Sequence, residues 1–219
     1  MEKLAMLVKL GETELPADIS LPERAAGLVV FAHGSGSSRH SPRNRHVAEV
    51  LNLGGIGTVL IDLLTEEEES VDVRTAELRF DIPFLSERLV RVTDWMHSQS
   101  GLRELPVGYF GASTGAAAAL VAAAERPHAV RAIVSRGGRP DLTGTALQRV
   151  HAPVLFIVGS RDIVVLNFNH SAIDHLPLNT RRRLEVVPGA THLFEEPGAL
   201  DRVASLALDW FHKYFTPTA

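Results

Sequence analysis

Residues 111–115 read Gly-Ala-Ser-Thr-Gly, a G-x-S-x-G pattern centred on Ser113. The apolar segment 105–110 before it has the composition of a short strand, and the alanine-rich segment 116–125 after it has very high helix propensity. A strand, a sharp turn flanked by glycines and a helix are the context in which this pattern marks a nucleophile elbow. We therefore expect Ser113 to adopt a strained backbone conformation beside a helix N-terminus, where free N–H groups face any developing negative charge.

Apolar runs on both sides of the elbow predict the remaining strands. Two opening strands are predicted at 4–10 and 12–21, and later ones at 27–32, 57–63, 130–135, 152–158 and 183–187. Helices are predicted at 45–53, 82–98, 116–125 and 197–215, while the acidic stretch 65–70 is interpreted as a charged, solvated loop. Alternating strands and helices indicate an α/β fold, with a mostly parallel sheet covered by helices on both faces. We expect residues 1–219 to form a single domain.

Five loops follow predicted strands directly, and they begin at His33, Ser113, Arg136, Asp162 and His192. In an open parallel sheet, ligands bind outside the carboxyl ends of the strands. The sequence therefore places all five loops along the same edge of the sheet, where a site can form.

A serine hydroxyl is a weak nucleophile unless a base lies within hydrogen-bond reach and a third group orients that base. His192 follows the last predicted strand in a glycine-containing loop, which makes it the predicted base. Asp162 directly follows an apolar strand and is preferred as the orienting acid; Asp141 is the alternative, although its position after Pro140 also suits a helix N-cap. The chain order serine, aspartate, histidine agrees with that of an α/β-hydrolase.

An oxyanion requires N–H donors that are already in place. The backbone of Thr114, directly after the serine, is one predicted donor, and the loop 33–38 supplies the other. Ser35 is preferred within that loop and Gly36 is the alternative. His33 is expected to hold the loop by hydrogen bonds. The loop lacks the spacing of a dinucleotide fingerprint or a P-loop lysine motif, so no cofactor is expected.

Four arginines lie in two of the edge loops, and they are Arg39, Arg43, Arg136 and Arg139. Guanidinium groups bind carboxylates and phosphates through paired hydrogen bonds. The sequence leaves two interpretations open: a pocket for an anionic substrate group, or solvated loop arginines.

Composition excludes several classes of function. The chain has no cysteine, which excludes disulfides, thiolate metal sites and a cysteine nucleophile, and no metal is expected. Its net charge of −4 argues against general nucleic-acid binding. No apolar run is long enough to span a bilayer, and the first ten residues lack the features of a signal peptide, so a cytoplasmic protein is expected.

Taken together, Gly111–Gly115 and the loops at 33–36, 159–162 and 189–192 resemble those of the α/β-hydrolase superfamily, and the short chain is most similar to its dienelactone-hydrolase-like branch. The resemblance implies an α/β-hydrolase fold without a large cap domain, and a small-molecule ester or lactone as substrate. Dienelactone hydrolases proper use a cysteine nucleophile where this chain has Ser113, so a general carboxylester hydrolase is the expected activity. Two alternatives stay open: acyl transfer on the same triad, and a binding protein whose triad is idle.

Overall fold

An eight-stranded sheet forms the centre of the computed structural model, which describes residues 2–216. The strands are β1 (Glu2–Leu10), β2 (Thr13–Leu21), β3 (Leu28–Ala32), β4 (Gly57–Ile61), β5 (Val107–Ala112), β6 (Val130–Arg136), β7 (Val154–Gly159) and β8 (Arg182–Val187). Their spatial order is β1-β2-β4-β3-β5-β6-β7-β8. The opening hairpin is antiparallel to itself and to β4, and all other pairs are parallel. The predicted mostly parallel sheet is confirmed.

Helices cover both faces of this sheet. They are α1 (Pro42–Leu53), α2 (Glu66–Thr75), α3 (Ile82–Ser98), α4 (Thr114–Glu125), α5 (Ile163–His175) and α6 (Ala199–Phe215), with 3-10 helices at Leu78–Phe80 and Pro140–Arg149. One apolar core lies between the sheet and α3, α4 and α5, and a second lies between the sheet and α1 and α6. Strands β3, β4, β5 and β7 are buried along their whole length, as expected of strands packed on both faces.

The alanine-rich composition of α4 lets this helix lie directly against the sheet. Its alanines from Ala116 to Ala119 are fully buried. A Cβ on Gly115 would lie 2.2 Å from the carbonyl oxygen of Ala32, and one on Gly111 would lie 2.4 Å from the Cα of Ala116. Real Cβ atoms do not approach backbone so closely, so both positions require glycine. The predicted close approach of backbone at the elbow is confirmed.

Three segments differ from the sequence-based expectations. The stretch 65–70 is not a loop: Thr65 caps α2, its hydroxyl accepting from the Glu68 N–H while the Glu68 carboxylate accepts from the Thr65 N–H. This reciprocal capping box, with four glutamates in the first turn, stabilises a helix N-terminus. Helix α5 and the 3-10 helix Pro140–Arg149 were not among the predicted helices.

The sheet has a topological switch point at β3, because the chain moves from β3 outward to β4 and then returns to place β5 on the other side of β3. The loops that follow β3 and β5 therefore diverge and leave a crevice at the carboxyl edge. His33 and Ser113 begin these two loops. Among residues 2–216, no helix is both long and apolar enough to cross a bilayer.

Candidate active site

Ser113 lies between β5 and α4 in a backbone conformation that few residues adopt. Its φ is 51° and its ψ is −120°, a region that costs a non-glycine residue of order 1–3 kcal/mol. Backbone hydrogen bonds hold it there: its N–H donates to the carbonyl oxygen of Arg136 at 3.2 Å, and its carbonyl accepts from the N–H of Arg139 at 3.1 Å. The strained serine predicted from the sequence is therefore present, and the loop after β6 fixes it.

His192 Nδ1 lies 2.6 Å from Asp162 Oδ2, the spacing of a strong hydrogen bond to a carboxylate. Asp162 is the N-cap residue of α5, but its side chain makes no capping hydrogen bond and turns to the histidine instead. The competing acid is engaged elsewhere, since Asp141 receives two hydrogen bonds from Arg139 at 2.8 and 2.7 Å. Of the two candidate acids, the structure pairs Asp162 with the histidine.

Ser113 and His192 line the same cavity of about 220 Å³ at the carboxyl edge of the sheet. No hydrogen bond joins the Ser113 hydroxyl to the histidine ring in the described part of the chain. Catalytic hydrogen bonds in ligand-free proteins are often long and tighten when substrate binds. The cavity thus holds the nucleophile and the base that the sequence predicts, with the orienting acid attached to the base.

Contacts that the sequence does not reveal position the histidine loop. A Cβ built on Gly137, which has a φ of +52°, would lie 3.4 Å from the His192 ring, so this glycine packs against the imidazole. The Glu196 carboxylate accepts from the Thr191 N–H at 3.0 Å, and this bond lowers the pKa of Glu196. The carbonyl of Ala190 accepts from the Arg161 N–H at 2.9 Å. The contacts of Gly137 and Arg161 join different loops, which residue spacing alone does not predict.

The two predicted oxyanion donors differ in their availability. Thr114 is the first residue of α4, so its N–H has no partner within the helix. Ser35 also lines the cavity, but its N–H donates to the Thr114 hydroxyl oxygen at 2.9 Å. In this structure the Ser35 N–H thus already has a partner within the protein, so its role as an oxyanion donor stays a prediction. The alternative, Gly36, does not line this cavity.

His33 holds the loop after β3, as the sequence predicts. Its Nε2 accepts a hydrogen bond from the Leu63 N–H at 3.1 Å, and its Nδ1 lies 3.0 Å from the carbonyl oxygen of Gly34. This pattern requires the neutral ring with the proton on Nδ1. Burial lowers the pKa of His33 and favours that neutral form.

The four arginines separate into two pairs. Arg39 forms ion pairs with Asp62 and Asp18, and Arg139 pairs with Asp141 and lies 5.2 Å above the Phe168 ring. Neither lines the cavity with Ser113, so of the two interpretations that the sequence leaves open, the substrate pocket does not hold for Arg39 and Arg139.

Arg43 and Arg136 do line that cavity. Arg136 is only 7 % exposed. Among residues 2–216, its side chain donates one hydrogen bond, a long one of 3.5 Å to Asn44 Oδ1. Burial, with the nearby charge of Arg43, lowers the pKa of Arg136 to about 10. Its guanidinium remains charged at neutral pH without a carboxylate partner among residues 2–216.

A larger cavity of about 690 Å³ adjoins the first and shares Ser37, Ser41 and Arg43 with it. Its far wall is formed by α2, including Glu66 and Glu69. Among the described residues, no group of three or more His, Asp or Glu side chains is arranged to hold a metal ion.

Comparison with known proteins identifies the family. Residues 24–215 match the model of the dienelactone hydrolase family. The chain belongs to the dienelactone hydrolase family. A crystal structure of a dienelactone hydrolase from Anabaena variabilis is 56 % identical, covers 97 % of this chain and 98 % of its own, and superposes with a TM-score of 0.95. Residues 2–216 therefore have the α/β-hydrolase fold, and no large cap domain lies among them.

Two further relatives delimit what the family assignment covers. The protein Est1E from Butyrivibrio proteoclasticus, seen with bound ferulic acid, shares the fold at a TM-score of 0.80 with 15 % identity, covering 96 % of this chain and 99 % of its own. A Mycobacterium tuberculosis protein named "Putative phosphoribosyl transferase" is 57 % identical over 204 residues, which are 93 % of this chain and 45 % of the relative. The chain thus spans about half the length of the curated relatives it matches.

Proposed function

We propose that this hydrolase cleaves carboxylic esters or lactones through an acyl-enzyme on Ser113. The observation that carries the proposal is the Asp162–His192 hydrogen bond of 2.6 Å next to a serine held at positive φ, with the serine and histidine lining one cavity. The substrate is a small molecule, because the cavity beside Ser113 measures about 220 Å³.

The chemistry follows from the proton positions. The Asp162 carboxylate accepts a hydrogen bond from the Nδ1–H of His192, which keeps the proton on Nδ1 and leaves Nε2 unprotonated. Nε2 can then take the hydroxyl proton of Ser113 as the Ser113 oxygen attacks the carbonyl carbon of the substrate. The imidazolium that forms is stabilised by the Asp162 carboxylate and then protonates the leaving alcohol. Water, activated by the same histidine, releases the acid from Ser113.

The oxyanion lies at the N-terminus of α4, where the Thr114 N–H and the positive end of the helix dipole meet it. The second donor is the Ser35 N–H. Since this group already donates to the Thr114 hydroxyl oxygen, the oxyanion shares or replaces that bond. Removing one such donor costs about 10²–10³-fold in kcat in other serine hydrolases.

The two guanidinium groups at the cavity favour a substrate that bears a negative group. Arg136 and Arg43 provide guanidinium donors beside Ser113, whereas Arg39 and Arg139 are engaged in ion pairs outside the cavity. The adjoining cavity of about 690 Å³ provides room for the remainder of the substrate.

The test is covalent labelling of Ser113 by a fluorophosphonate, combined with hydrolysis of p-nitrophenyl esters of graded chain length. Wild type is expected to be labelled and active. Ser113→Ala is expected to lose the label and on the order of a million-fold in kcat, the loss seen for a nucleophile in another serine hydrolase. Ser98→Ala, which changes an exposed serine at the end of α3, is the control and should behave as wild type.

Two outcomes would contradict the proposal. One is labelling at a residue other than Ser113, and the other is a Ser113→Ala variant that keeps a tenth of the wild-type turnover. Faster transfer of the acyl group to an added alcohol than to water would identify an acyltransferase.

A further inference from the structure

Arg136 is a buried cation without a carboxylate partner among residues 2–216. Its guanidinium contacts only neutral groups there: Asn44 through a long hydrogen bond, and the Phe194 ring with its centroid 6.0 Å away. Arg136 is the last residue of β6, so the strand carries it to the carboxyl edge beside Ser113. Its Nε atom is buried and has no hydrogen-bond partner among residues 2–216. Burial of a charge without a partner is costly, and proteins avoid it unless the group has a use. The missing partner of Arg136 is therefore to be sought in a ligand.

Arg43 adds a second cation at the same place. It lies in the first turn of α1 and lines the cavity together with Arg136. Its Nε is also buried and without a partner, and its only ion pair in the described chain is a 3.2 Å contact with Glu195, whose side chain is 65 % exposed. Burial lowers the pKa of Arg136, and repulsion between the two guanidinium groups lowers it further. With Glu195 counted, Arg136 and Arg43 leave one net positive charge at this place, on groups that keep free N–H donors.

The other donors at the cavity come from a different direction. Ser37 and Ser41 line the same space, on the loop that leads into α1. The Ser41 hydroxyl oxygen accepts from the Asn44 N–H at 3.4 Å, which leaves its own proton available for donation. The N-terminus of α1 points its dipole at this corner. The hydrogen-bond donors thus come from the end of a strand, the start of a helix and a loop, and they do not lie in one plane as the donors of a single guanidinium group do.

We propose that this corner of the cavity binds a phosphate group, and that the substrate is a carboxylic ester that carries one. Arg136, Arg43, Ser37 and Ser41 supply its donors. A phosphate is doubly charged near neutral pH and has three oxygens spread in three dimensions, whereas a carboxylate has one charge and two coplanar oxygens. The inference rests on the proposed function for the ester bond, but the binding of the anion does not depend on it.

The first experiment measures binding without catalysis. The melting temperature of wild type, Arg136→Met and Arg126→Gln is recorded in inorganic phosphate, in acetate and in chloride, at equal ionic strength and pH 8. Arg126 is the matched control because it is a half-exposed arginine paired with Asp94, on the end of α4 away from the site. Phosphate should raise the melting temperature of wild type and of Arg126→Gln above that in acetate or chloride, and should have no such effect on Arg136→Met. Arg43→Gln should weaken the phosphate effect as a second, independent variant.

The second experiment compares three p-nitrophenyl esters whose acyl chains end in a methyl, a carboxylate or a phosphonate group. Wild type should show the highest kcat/KM for the phosphonate ester, by at least tenfold over the methyl ester, with the carboxylate ester between them. Inorganic phosphate should inhibit hydrolysis of the phosphonate ester competitively. The preference among the three esters should disappear in Arg136→Met and persist in Arg126→Gln.

The outcomes separate this inference from the proposed function. Equal stabilisation by acetate and phosphate would overturn the phosphate assignment. Phosphate binding without a preference for the phosphonate ester would overturn the claim that the substrate carries the group. Fluorophosphonate labelling of Ser113 without any phosphate effect would overturn the anion site and leave the hydrolase function intact. Phosphate binding that depends on Arg136, in a protein whose Ser113 is unreactive, would overturn the proposed function and leave the anion site.

Discussion

Arg136 is the last residue of β6 and Arg139 follows it by three residues, but the two guanidinium groups differ in burial and in their charged partners. Arg139 is about one-third exposed and donates two hydrogen bonds to Asp141, whereas Arg136 is buried and has no carboxylate partner in the described chain. The pairing with Asp141 raises the pKa of Arg139, while burial lowers that of Arg136. Among residues 2–216, the arginine outside the cavity, Arg139, is therefore neutralised by a carboxylate, whereas the arginine inside it, Arg136, is not.

The two neighbouring aspartates repeat the contrast. Asp141 is held by an arginine and Asp162 by His192, although both lie just beyond a strand of the sheet. A position at the carboxyl edge of the sheet is thus not enough to place a side chain in the site. Its hydrogen-bond or ion-pair partner decides whether it is available for catalysis.

The largest expected effect comes from exchanging each acid for its amide. Asp162→Asn should lower kcat by about ten-thousand-fold, because the amide no longer fixes the histidine tautomer or stabilises the imidazolium. Asp141→Asn should leave kcat near that of wild type, since it only weakens an ion pair with a partly exposed arginine. Kinetics on one p-nitrophenyl ester, with circular dichroism to check folding, decides between them. The opposite ranking would transfer the role of the acid to Asp141.

The two arginines should differ less, and through KM. Arg136→Gln should raise KM for a carboxylate-bearing ester by about 10–100-fold, the worth of a charge-assisted hydrogen bond, with a smaller change in kcat. Arg139→Gln should leave KM for the same ester unchanged. A neutral ester of equal length is the control substrate for both variants. If Arg136→Gln impairs both esters equally, the arginine has no role in reading a substrate charge.

Stability should respond in the opposite sense to activity. Arg136→Met removes a buried, unpaired charge and should stabilise the ligand-free protein by about 1–2 kcal/mol, which is roughly 2–4 °C in Tm for each kcal/mol in a chain of this size. Arg139→Met loses an ion pair and should be neutral or slightly destabilised. Thermal melts in chloride buffer measure both. A lower Tm for Arg136→Met would mean that Asn44 and its surroundings already compensate the charge.

The smallest effect is the pH dependence of that difference. The folded-state pKa of Arg136 is about 10, below its ordinary value of 12.5, so the unfolded chain binds more protons between these values. The cost of burying the charge is therefore fully present below pH 10 and is relieved as pH rises above it. The stability gap between Arg136→Met and wild type should narrow from about pH 9 to about pH 11, as measured by urea unfolding. A constant gap would contradict the assigned pKa.

Local sequence signals account for most of the fold and for the candidate nucleophile, base and acid. The elbow was predictable because a strand, Gly111 to Gly115 and an alanine helix are contiguous in the chain. Asp162 and His192 were predictable because each lies in the loop after a strand, and parallel strands end at one edge. Helix α3 was predicted with the bounds that the structure has, since its apolar residues recur at helical spacing.

The differences between expectation and structure concern contacts between distant residues, with one exception. A substrate pocket was one of two interpretations left open for Arg39, but Asp62, 23 residues away, pairs with it. Ser35 was the preferred oxyanion donor, but its N–H already donates to the Thr114 hydroxyl, 79 residues away. Neither partner can be read from spacing. Helix α2 is the exception, because threonine followed three residues later by glutamate at Thr65 and Glu68 is a local capping signal that could have identified it.

The end of β6 and the loop after it are hydrogen-bonded to Ser113 at two points, and these bonds fix a distance within the cavity. The backbone of this segment grips Ser113 on both sides, through the carbonyl of Arg136 and the N–H of Arg139, while the Arg136 side chain projects into the same cavity. These hydrogen bonds therefore fix the distance between the Ser113 oxygen and the Arg136 guanidinium. A fixed distance selects substrates by the number of bonds between their charged group and their ester carbonyl. Across a homologous series of charged esters, turnover should rise to a single chain length and fall on either side of it.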